Sequence, residues 1–158
     1  MKLKNLTIIA FSLLAVSCGN SHNHEHSEQA DTQQSNDIKK TTEIKISLNE
    51  GKKWDADFST FTGMQRLENA LDHFDEVFAS PSIEDYKKLG KSLASINKDI
   101  ISQCKMEGED HEQLHILLAP MLTNVDVIQN SNDEVEVKKN ITALSFSIEK
   151  FFEHFEVK

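Results

Sequence analysis

Residues 58–78 read FSTFTGMQRLENALDHFDEVF, and their spacing decides the fold. Phe58, Phe61, Met64, Leu67, Leu71, Phe74 and Phe78 step by three or four. That is the period of a helix with one apolar face. The same period returns three times downstream. Ser80-Pro81 ends the first segment and opens the next, with Pro at the first helical position. The second segment carries Tyr86, Leu89, Leu93, Ile96 and Ile100. The stretch KMEGED at 105–110 breaks the pattern, and Asp110 with Gln113 suits a capping box for a third helix. That helix shows Leu114, Leu118, Met121, Val125 and Ile128, with Pro120 placed to kink or unwind it. Ser131 with Glu134 caps a fourth, carrying Val137, Ile141, Leu144, Ile148, Phe151 and Phe155. Short connections make neighbours antiparallel. The expectation over residues 44–158 is an all-α, up-down-up-down four-helix bundle, its core helped by nine phenylalanines.

Upstream the pattern changes. Ile44, Ile46 and Leu48 alternate with polar residues, as in a short extended stretch. Gly51 breaks the chain, and Trp54 is expected to plug the surface of the helical domain. Residues 18–43 are polar, with no aromatic, and read as a disordered tether. Within it, SHNHEH places His22, His24 and His26 two apart, a tract able to capture a divalent ion weakly. At the start, Lys2 and Lys4 precede an apolar run from Leu6 to Val16 and the string LLAVSCGN. The run is shorter than the ~20 residues of a usual membrane span. Its order is that of an export signal, and the string resembles a lipoprotein signal, residues 1–17, cleaved so that Cys18 becomes the acylated N-terminus. An ordinary signal peptide or an uncleaved anchor is the alternative. Gly19, rather than Asp, after the cysteine points to the outer membrane over the inner. The expected location is therefore the bacterial cell envelope, with the helical domain in the periplasm or at the cell surface.

The chain holds 17 basic and 26 acidic side chains, a formal charge of −9. Residues 1–17 hold two lysines and no acid, so their removal takes the charge from −9 to −11. That balance argues against nucleic acid or an anionic membrane surface as the main partner. There is no nucleophile elbow, phosphate loop, HExxH or di-iron carboxylate pattern, so no enzymatic activity is expected.

With Cys18 committed to lipid, Cys104 has no partner within the chain. Bundle topology collects Met64, Cys104, Met106, His111, His115 and His154 at one end, while His73 and Met121 lie elsewhere. Thiolate, thioether and imidazole together favour Cu(I); Cys with two His also suits Zn(II), with Glu112 or water completing a tetrahedron. The expected function is copper or zinc handling or sensing. A structural or protein-interaction role is the alternative. A second alternative is b-type haem held by Met64 and His154, a pair that resembles the axial ligands of b562-type cytochromes. Covalent haem is unsupported, for there is no CxxCH.

The stretches GKKWDAD at 51–57, CKMEGEDHEQLH at 104–115 and LLAP at 117–120 together resemble a group of small lipoproteins of Bacteroidetes-type bacteria. The shared pattern is a K-W followed by C-x-M-x-G-x-x-H-x-x-L-H. The resemblance implies a common helical domain over most of residues 44–155 and brings no activity with it. In that group a Trp often follows L-H, where this chain has Ile116-Leu117.

Overall fold

A computed structural model describes residues 44–158. Cys18, His22, His24 and His26, and with them the expected signal and tether, lie outside the described residues. Helices dominate: α1 (Phe58–Val77), α2 (Ile83–Gln103), α3 (Gly108–Asn130) and α4 (Glu134–His154). Two three-residue strands flank them, β1 (Trp54–Ala56) and β2 (Phe155–Val157). Among the described residues no helix is long and apolar enough to cross a membrane.

Each helix packs on its neighbour in sequence, and α4 also meets α1. The contacts run end to end in opposite senses. Gly63 near the start of α1 lies against Ile100 near the end of α2. Gly90 near the start of α2 lies against Gln129 near the end of α3. The Phe61 ring packs on Phe151 and Phe152, near the end of α4. These are the meetings an up-down arrangement requires. The two glycines set how closely the helices approach. A Cβ at Gly63 would come within 2.3 Å of Ile100 Cγ1, and one at Gly90 within 2.5 Å of the Gln129 backbone.

The core follows the sequence periodicity for the most part. Met64, Leu67, Leu93, Leu114, Met121, Ile128, Val137, Leu144 and Phe151 have no exposed surface. Phe58 departs from its stripe: it is 72% exposed, because it starts α1 beyond the packed layer. Phe155 is buried, but as the first residue of β2 rather than as the last turn of α4.

The helix starts differ from three expectations. Pro81 lies before the cap, not inside α2. Ser82 is the N-cap, and its hydroxyl and the Asp85 carboxylate form the reciprocal capping box. Asp110 does not cap α3, which begins at Gly108 after Glu107. The reason is competition: the Asp110 carboxylate accepts from the Asp55 backbone N–H at 3.1 Å instead. Asp133, not Ser131, caps α4, accepting from the N–H groups of Val135 and Glu136. Ser131 instead bonds the Glu136 side chain. Pro120 does not unwind α3, which runs unbroken through it; losing one N–H leaves the flanking bonds in place.

Before β1 the chain turns tightly. Asn49 and Lys52 exchange backbone hydrogen bonds at 2.9 and 2.8 Å around Glu50 and Gly51. Both central residues have positive φ, 50° and 85°, as a tight hairpin turn demands. Ile44 and Ile46 pack on the core without forming a strand, and Leu48 is exposed. Trp54 is 4% exposed and donates its Nε1–H to the Ser47 carbonyl at 2.6 Å. It therefore fills the place expected of it, within a strand that the sequence did not announce. β1 pairs with β2 in parallel, Trp54 opposite Phe155 and Ala56 opposite Val157.

Candidate metal centre

The N-terminal turn of α3 carries the most suggestive chemistry. His111 and His115 stand one turn apart, with Leu114 between them turned into the core. Their Nε2 atoms are 3.0 Å apart, and the rings meet edge to face with centroids at 4.6 Å. Helix geometry brings residues four apart onto one face, so the backbone supplies the juxtaposition. Together with Glu112, the two rings line a shallow hollow of about 340 Å³. His111 is half-buried, and His115 and Glu112 are exposed.

At 3.0 Å, two neutral imidazoles make one hydrogen bond, one ring donating and the other accepting. The same separation is close to the span across one ion. Ion-to-nitrogen distances of about 2.0–2.1 Å in a tetrahedral site put two ligand nitrogens a little over 3 Å apart.

The other expected ligands are placed differently. Met64 has no exposed surface and Met106 is 8% exposed, so both are core residues. Cys104 is half-buried at the C-cap of α2, packed against the core, with its N–H on the Ile100 carbonyl. His154 lies in the last turn of α4, its Nδ1 2.8 Å from the Lys150 carbonyl. A carbonyl only accepts, so Nδ1 carries the proton and the neutral ring keeps its lone pair on Nε2. Among the described residues no three His, Cys, Asp or Glu side chains are grouped to hold one ion. Of the six expected ligands, Met64, Cys104, Met106, His111, His115 and His154, the structure brings His111 and His115 together; Cys104 and His154 join them in no group of three. The helix ends converge, but the thioethers are taken up by packing. Met64, one member of the alternative haem pair, has no exposed surface.

One acid that the sequence reading passed over organises this end. Asp57 caps α1, accepting from the Thr60 N–H at 2.6 Å and lying 2.9 Å from the Ser59 hydroxyl. Its other oxygen accepts from the Lys105 N–H at 2.5 Å. The α1 start is thus tied to the Cys104–Met106 connection. Burial pushes this carboxyl up, but the hydrogen bonds from Lys105, Thr60 and Ser59 outweigh it and hold it below its ordinary value. An acid just before a helical apolar run is an N-cap signal; its second bond, to a residue far along the chain, has no local signal.

The chain matches no protein-family model, no curated protein and no solved structure. The functional reading therefore rests on the residues themselves.

Proposed function

We propose that this protein is a lipid-anchored component of the bacterial cell envelope that binds a transition metal ion, copper or zinc, through His111 and His115. The observation that carries the reading is the 3.0 Å separation of the two Nε2 atoms at the mouth of an open hollow. Imidazole suits both metals. A two-imidazole site on an exposed helix face leaves positions for the Glu112 carboxylate, for water or for a donor arriving from elsewhere. Such a site exchanges its ion readily, which suits handling or sensing better than a structural role. His22, His24 and His26 would capture ions along the tether, and Cys18 would carry the lipid.

Binding needs both Nε2 lone pairs, so the donating ring must move its proton to Nδ1, and acid that protonates either ring competes with the ion. Metal affinity should fall on acidification. The test is titration of Zn(II) and of Cu(I) into the full chain, into His111→Ala and His115→Ala, and into a chain with His22, His24 and His26 replaced by Ala. The expected result is micromolar or tighter binding that survives the tether replacement and weakens at least tenfold in either single variant. Binding untouched by both single substitutions would leave the pair a simple imidazole hydrogen bond. For the anchor, Cys18→Ser should abolish acyl labelling and release the chain from the membrane fraction. Retention of the label would sink that part of the reading.

A further inference from the structure

The face between α2 and α3 carries a groove of about 360 Å³, separate from the histidine pair. Ala94, Ile101, Leu122 and Val125 wall it. Ile101 is 52% exposed and Leu122 38%, large apolar side chains turned to water. Asn97 also touches the groove, yet is only 2% exposed. Neither its Oδ1 nor its Nδ2 has a hydrogen-bond partner among the described residues. Buried polar groups are nearly always paired, and an orphaned amide calls for a missing partner. Lys98 and Asp126, of opposite charge and from opposite helices, line the same groove. Asp126 accepts from the Asn130 amide through Oδ1, at 2.8 Å.

These features select a ligand chemistry. A carboxamide presents an acceptor and a donor side by side. Its best complement is another amide, which offers N–H and C=O in the matching order. A hydrocarbon chain would satisfy the walls and leave Asn97 orphaned. Both polar atoms of Asn97 are enclosed, so pairing with a ligand in the groove requires the broad terminal torsion of Asn to carry the amide out of cover. The two charges add polarity: one suits a carboxylate end, the other an ammonium end.

We infer that the α2–α3 groove binds a short peptide with an apolar side chain, its backbone amide pairing with Asn97 and its two ends facing Lys98 and Asp126. The proposal is independent of the metal reading.

The probe is the dipeptide Leu-Ala, titrated into the full ¹⁵N-labelled chain while the Asn97 side-chain NH₂ signals are followed. Saturable shifts at millimolar concentration or below are expected, with octanoate leaving those signals in place. Asn97→Leu should raise the Tm of the peptide-free protein, by removing an unpaired buried amide, and weaken the dipeptide at least tenfold. Ile101→Glu, at an exposed position, should also block binding without disturbing the core. The inference is overturned if Leu-Ala produces no saturable shift, if octanoate shifts Asn97 equally, or if binding survives Asn97→Leu or Ile101→Glu. A lower Tm for Asn97→Leu would also overturn it, by showing that a trapped water already fills those hydrogen bonds.

Discussion

The two ends of the bundle are closed in different ways. Where α1 meets α2 and α3 meets α4, the bonds are nearly all local. Ser82 and Asp85 cap one helix, Asp133 caps another, and Ser131 reaches Glu136 five positions on. Among the described residues, only the bond from Lys87 to Asn132 at 2.8 Å spans any distance there. At the opposite end the bonds join segments remote in sequence. Lys53 Nζ donates to the Phe152 carbonyl, 99 positions away. The Asp55 N–H meets Asp110, the Lys105 N–H meets Asp57, and the Ser59 hydroxyl lies 3.0 Å from the Gln103 carbonyl. The strand pair completes the set. One end needs only to turn the chain around. The other is fixed in three dimensions, and His111 and His115 sit there.

Substitutions at four positions test that contrast. The largest effect is expected from Phe155→Ala, which removes a ring 1% exposed and stacked on Phe151 at 4.8 Å. It should cost about 3–5 kcal/mol in urea unfolding; a loss under about 1 kcal/mol would mean the pinned end adds little. Next, Asp57→Ala should cost about 2 kcal/mol, since it removes both a cap and a charge-assisted bond. Its pH signature has a definite sign. The folded carboxyl titrates below the ordinary Asp value, so its contribution is whole above that value, about pH 4, and is lost as pH falls through the depressed one. Asp57→Asn should flatten that acid limb; an unchanged limb assigns it to other carboxylates.

At the local end, Ser82→Ala should cost about 1 kcal/mol and leave the His111 and His115 ring resonances unmoved. Ring shifts on that substitution would break the separation between the ends. The smallest effect belongs to Lys158→Ala. Its ammonium meets Asp55 at 2.5 Å at the surface, and its pKa is raised by that side-chain hydrogen bond. Exposed ion pairs contribute little, so the urea midpoint should stay within error.

The same contrast explains what could be read in advance. The four helices were legible because their apolar spacing is local information, and the buried stripe of α1 from Met64 to Phe74 follows it. Pairing of His111 with His115 was legible too, because four residues on a helix fix it. The strand pair was hidden: Phe155 continues the spacing of Ile148 and Phe151 whether or not the helix goes on. Asp110 and Ser131 misled because each is a plausible cap that found a different partner once the chain folded. Met64 and Met106 looked like ligands by type, and only tertiary packing decides whether a thioether faces an ion or a phenyl ring.

The parallel pairing of Trp54 with Phe155 carries one more consequence, for the order of events in folding. Adjacent helices meet through short loops, but this pair closes a loop of roughly a hundred residues. Closure entropy is repaid last for the longest loop. The clasp should therefore form after the rate-limiting step, and substitutions in β2 should speed unfolding while leaving the refolding rate nearly unchanged. A chain made from its N-terminus onward would complete the β1–β2 clasp only after all four helices had been made and Phe155–Val157 had followed them out.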